Sequence, residues 1–94
     1  EDGDLYMRLG QAYVQKQRWK EADEALGKAL DHEELKDRGN VHLLRGVARM
    51  NRESWKGARA SFDAAARFDN SKKSAEQYRK YLEARKQQLE VLRS

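Results

Sequence analysis

Residues 36 positions apart in this 94-residue chain answer one another. Leu5 pairs with Val41, Gly10 with Gly46, Ala12 with Ala48, Trp19 with Trp55, Ala22 with Ala58, Leu26 with Phe62 and Ala29 with Ala65. A fixed period of about 20 to 50 residues marks a repeat architecture, in which each unit buries its apolar face only by stacking on a neighbour. Such stacks build extended binding surfaces.

Composition alone would point the other way. Leu, Val, Phe and Ile make up 16 of the 94 residues, under the share of about 20% below which a highly charged chain is usually disordered. Ala, Tyr and Trp at helical spacing replace the missing bulk, and small side chains let helices approach closely. Ile, Thr and Pro are absent and Val is scarce, so strands lack their preferred residues and no breaker interrupts a helix. The chain therefore reads as all-α.

The length suits one domain, residues 1–94, that buries roughly 60–65% of its unfolded surface. Without cysteine, disulfides and thiol chemistry do not arise, and the redox compartment stays open. The chain begins at Glu1 and holds no apolar run long enough for a signal peptide or membrane span, which fits a piece of a larger protein or a processed chain. Its net charge of +4 comes from 20 basic and 16 acidic residues interspersed, the pattern of a solvated helical surface.

Five helical stretches are expected. The first runs from about Asp4 to Lys16, with Leu5, Leu9, Ala12, Tyr13 and Lys16 on one face. The second, about Trp19 to Asp31, buries Ala22, Ala25, Leu26, Ala29 and Leu30, and a polar connection follows from His32 to Arg38. The third covers about Gly39 to Asn51 and the fourth Trp55 to Phe68, with Ser54 as its cap. The last starts at Ser71 or at a Ser74/Gln77 capping box and continues to about Leu92. Connections of two or three residues inside each pair force antiparallel neighbours.

The first unit resembles the tetratricopeptide repeat, whose pattern is Trp-x2-Leu-Gly-x2-Tyr, then Ala-x3-Phe, then Pro. Tyr6 stands in the Trp place, followed by Leu9, Gly10, Tyr13, Ala22, Leu26 and Ala29. The second unit keeps Gly46, Ala58, Phe62 and Ala65 but has His42, Arg45 and Arg49 in the Trp, Leu and Tyr places, and Glu34 and Asn70 replace the closing Pro. The resemblance implies antiparallel helix-turn-helix repeats over about 3–36 and 39–72. The final helix, about 73–92, is similar to the capping helix of such arrays, with Tyr78, Leu82, Arg85 and Leu89 covering the second unit. On that reading the fragment ends an array, and earlier repeats dock on its first helix pair.

The resemblance also implies a concave groove lined by the first helix of each pair, holding a partner's peptide or helix. Carried over by position, it selects Asp4, Met7, Gln11, Val14 and Gln15, then Asn40, Leu43, Val47, Met50 and Asn51, then Ser74, Gln77, Tyr81 and Arg85. Met7, Val14, Leu43, Val47 and Met50 suit either an apolar partner segment or burial, under the last helix or under a repeat outside this fragment. A chaperone-tail carboxylate clamp of the family's kind is not expected, because Met7, Gln11, Leu44, Ser74 and Tyr78 stand where its Lys, Asn and Arg belong.

Catalysis has little to stand on. His32 lies in the polar connection, where it reads as a solvated loop residue, and His42 on the third helix reads as a packing substitute for an aromatic. His32, Glu33 and Glu34 are neighbours on one turn and do not converge as metal ligands. No cofactor is implied. Arg45, Arg49 and Arg52 share a face, with Lys56 and Arg59 following. They suit a phosphate track with Trp55 stacking bases, or ion pairs with Glu76 or Glu83 where repeat and last helix meet. Trp19 and Trp55 read as packing residues. The expected function is a non-catalytic protein-interaction module, with a basic helical repeat that binds nucleic acid as the alternative; association into a homo-oligomer stays open.

Overall fold

The computed structural model describes residues 2–94, with Glu1 outside them, and builds most of that length into five helices. These are α1 (Asp2–Gln15), α2 (Trp19–Leu30), α3 (Arg38–Asn51), α4 (Trp55–Ala65) and α5 (Asp69–Arg93), with no strand among the described residues. The all-α expectation holds. The last helix begins earlier than expected, at Asp69, so its first turn falls inside the second repeat as read from sequence.

The period of 36 survives in the geometry. Gln17 and Glu53, 36 apart, both take left-handed backbone, with φ of 60° and 61°. Around them the hydrogen bonds repeat: Gln17 N–H donates to Val14 and Arg18 N–H to Tyr13, as Glu53 does to Met50 and Ser54 to Arg49. These are the closing bonds of a helix that ends on a left-handed residue. The aromatic contacts repeat as well. Tyr6 stacks on His32 at 5.7 Å between centroids, and the equivalent His42 stacks on Phe68 at 6.3 Å. His42 thus fills an aromatic place, as expected, whereas His32 is half-buried against Tyr6 rather than loose in solvent.

Glycine decides how the pairs close. A Cβ on Gly10 would stand 2.5 Å from Leu26 Cγ, and one on Gly46 would stand 2.6 Å from Phe62 Cδ1. Each pair crosses antiparallel at that point because the large residue of one helix occupies the space its partner leaves empty. The consequence corrects the expected face of α1. Its buried residues are Gly3 and Gly10, while Leu5, at 58% exposure, Leu9, at 44%, and Ala12 face outward. Hydrophobic periodicity follows side chains, and a glycine has none to show.

Helices α1, α3 and α5 touch one another in series, whereas α2 and α4 make no direct contact. The odd helices form one layer and the even helices the other. Two cores lie between the layers. Leu26, Ala29, Leu35 and Val41 form the first, with Tyr6, Met7, Val14, Leu30 and Leu44 packed on it. Met50, Ala58, Phe62 and Leu82 form the second, with Leu43, Val47 and Trp55 around it.

The expected caps are replaced. Ser54 precedes α4 but makes no side-chain capping bond, and Ser71 lies inside α5, where its hydroxyl donates to the Ala65 carbonyl at 2.7 Å. The cap that does form is Asp37, whose Oδ1 accepts from Asn40 N–H at 3.2 Å and from Asn70 Nδ2 at 3.1 Å, so one carboxylate starts α3 and ties α5 to it.

Candidate functional site

The open side of the odd-helix layer is the candidate surface. Of the apolar residues selected for it, Met50 is corrected: at 3% exposure it belongs to the second core, covered by Leu82 of α5. Met7 and Val14 are half-buried against the first core, and Leu43 and Val47 against the second. These four side chains join helices to one another and show only one flank to solvent. The surface is less apolar than the sequence suggested.

What remains on it is polar: Asp4 and Arg85, both half-buried, carry charge, and the other seven residues do not. Gln11, Asn40, Asn51 and Ser74 are half-exposed, and Gln15, Gln77 and Tyr81 are exposed. Asn51 Nδ2 donates to the Val47 carbonyl at 2.9 Å, which fixes the amide. On α5, Ser74, Gln77, Tyr78 and Tyr81 line an open depression of about 450 Å³. Tyr78 is held there by its stack on Phe62, with centroids 5.4 Å apart and planes within 10°. Arg85, further along α5, is half-buried.

The arginine stripe has a different fate. Arg45 Nε donates to Asp23 Oδ1 at 2.7 Å, Arg49 Nε to the same oxygen at 3.1 Å, and Arg52 Nη1 to Oδ2 at 2.9 Å. The partner is a carboxylate on α2 rather than the expected Glu76 or Glu83 of α5; Glu83 pairs with Arg59 instead. Arg49 also donates through Nη1 to the Gly57 carbonyl and the Ser61 hydroxyl, each at 3.2 Å. Arg49 thus fills the Tyr place of the second unit by bonding α2 and α4 at once. Burial raises the pKa of Asp23, but the Arg45 hydrogen bond and the charges of Arg49 and Arg45 outweigh it and hold the carboxyl below its ordinary range. His42 is pushed down, first by burial and then by Arg38, Arg45, Arg67 and Arg49, so its ring is neutral at pH 7.

Asp23 was missed in the sequence. Acidic residues on a charged helix read as solvated, and its only signal is its place on α2 one residue after the buried Ala22. Elsewhere, Glu34 Oε2 accepts from Gly3 N–H at 3.2 Å and stands 3.4 Å from His32 Nδ1, and no group of three or more His, Asp or Glu among the described residues could hold a metal ion. No described helix is long and apolar enough to cross a membrane. Compared with family models, curated proteins and solved structures, the chain matches none of them.

Proposed function

We propose that this chain is a short tetratricopeptide-like stack that acts as a non-catalytic protein-interaction module, holding an extended segment of a partner along α1, α3 and α5. The observation that carries the reading is the uncharged strip of Gln11, Gln15, Asn40, Asn51, Ser74, Gln77 and Tyr81, on a surface where only Asp4 and Arg85 of the selected residues are charged and in a chain in which 38% of residues are. A solvated helix face needs no such strip. Amide side chains offer donors and acceptors that match a peptide backbone, and an exposed Tyr supplies rigid contact area at low entropic cost. The half-exposed flanks of Val47 and Leu43 add an apolar floor between them.

The arrangement disfavours the nucleic-acid alternative as an extended phosphate track. Arg45, Arg49 and Arg52 share one carboxylate and Arg59 pairs with Glu83, which leaves Lys56 alone in the stripe without an ion pair among the described residues.

Peptides selected on the protein from a random display library test the proposal. Truncating a central Tyr at an interface typically costs about 1–2 kcal/mol or more, so Tyr81→Ala should weaken the selected peptides about tenfold while the melting temperature stays unchanged. Peptides that bind Tyr81→Ala and Gln77→Ala as tightly as the parent protein would refute the surface.

A further inference from the structure

Three guanidinium groups gathered on one carboxylate leave an excess of two positive charges in a small volume. The Asp23 side chain is only 12% exposed, and those of Arg45, Arg49 and Arg52 are 26%, 24% and 38% exposed, so the excess is partly withdrawn from water. Among the described residues no other carboxylate lies within ion-pair distance of the three. Their donors are far from spent. Arg45 uses only Nε, Arg52 only Nη1, and Arg49 uses Nε and Nη1. The terminal nitrogens of Arg45, with Arg49 Nη2 and with Nε and Nη2 of Arg52, therefore remain open to a further acceptor.

The cluster is also built. A Cβ on Gly27 would meet Arg45 Nη2 at 2.8 Å and Cζ at 3.0 Å, so this guanidinium lies against bare α2 backbone where any other residue would displace it. Arg49 is fixed from the other side by Gly57 and Ser61 of α4. Two of the three forks are thus oriented by contacts that do not depend on an added ligand, and orientation is what bidentate recognition of an oxyanion requires.

We infer that Arg45, Arg49 and Arg52, held by Asp23, form a binding site for a phosphate dianion, carried by a monoester or free. The charge is of the matching sign, since the three guanidiniums outnumber Asp23 by two, an excess that Glu24, Asp31 and Lys28 around Arg45 reduce to about one, and they face a group carrying about two negative charges near pH 7. So does the size, because all three forks bond a single carboxylate and form one focus rather than a line. A nucleic-acid strand presents singly charged diesters in a row and needs several such contacts. The site faces α2 and α4, away from the uncharged strip, and stands or falls independently of the proposed peptide surface.

The test uses the whole chain at constant ionic strength, with sodium chloride exchanged for inorganic phosphate, for a phosphoserine peptide and its unphosphorylated form, and for a single-stranded oligonucleotide. Phosphate should raise the melting temperature saturably and bind with a measurable Kd. Arg52→Gln, which removes the most exposed of the three and a single contact, should weaken that binding about tenfold, and Lys72→Gln on α5 should leave it unchanged. Gly27→Ala serves as a second variant that alters no charge and should weaken phosphate binding by displacing Arg45. A phosphoserine peptide that binds more tightly than free phosphate assigns the dianion to a modified partner, and equal affinity assigns it to the free ion; both support the site. Stabilisation no greater than by chloride, or insensitive to both variants, would overturn it. So would an oligonucleotide that binds more tightly than both free phosphate and the phosphoserine peptide, with a salt dependence corresponding to several phosphates.

Discussion

Gln17 and Glu53 carry the most avoidable strain in the molecule. Each closes a helix pair in left-handed backbone without being glycine, and a side chain there costs about 1–2 kcal/mol, of which the greater flexibility of an unfolded glycine would return roughly half. Gln17→Gly is therefore expected to stabilise the protein by about 0.5–1 kcal/mol in denaturant unfolding. Glu53→Gly should gain less, because Glu53 also holds Arg93 at the end of α5, with Oε2 2.8 Å from Arg93 Nη2. Neither residue announces its conformation. The turns were legible as gaps in the helical pattern, but a left-handed Gln or Glu is invisible to a reader who looks for Gly or Asn. Gly3 was hidden in the opposite way: it contributes nothing to hydrophobic periodicity, so the end of α1 that lies against His32 and Leu35 of the α2–α3 connection went unread. Gly10 and Gly46, like Leu26 and Phe62, stood out because the repeat displayed each twice, but that each glycine meets the large residue of its own unit emerged only in the structure.

The helices themselves were legible to within about three residues at most ends, since apolar residues recur in them at helical spacing and no proline interrupts them. Their partners were not. Arginines at packing positions could be read as paired, yet which carboxylate they met depended on how far α3 rotates against α2. The register of α5 shows what such pairs accomplish. Arg79 Nη1 lies 2.7 Å from Asp63 Oδ1, and one turn on, the signs reverse as Glu83 meets Arg59. Sliding α5 by a turn would set Arg79 beside Arg59, or Glu83 beside Asp63. Exposed pairs of this kind contribute about 0–1 kcal/mol each, so their effect lies in excluding wrong registers more than in strength. Glu83→Arg should destabilise the protein slightly, and the double exchange Glu83→Arg with Arg59→Glu should recover the loss. A double-mutant cycle with no coupling between the two positions would remove this account of the register.

At the scale of the whole molecule, two helix pairs built alike are joined by the Asp23 cluster and closed on one side by Leu82 of α5, which leaves the odd-helix layer open. That two-layer plan was readable from the 36-residue period. The character of the open face was not, because the apolar residues expected to floor it are largely consumed in holding α1, α3 and α5 side by side, and what faces solvent is mostly Gln, Asn, Ser and Tyr, with Asp4 and Arg85. The central claim is that this uncharged strip is where a partner segment lies. The most direct measurement is paramagnetic broadening of the protein's backbone amide signals by a spin label at the middle of a peptide selected on the protein. Broadening centred on Gln11, Asn40, Val47, Asn51 and Gln77, with α2 and α4 spared, is the predicted result. Broadening centred on Glu24, Lys28 and Arg59 of the even layer, with the strip untouched, would contradict it.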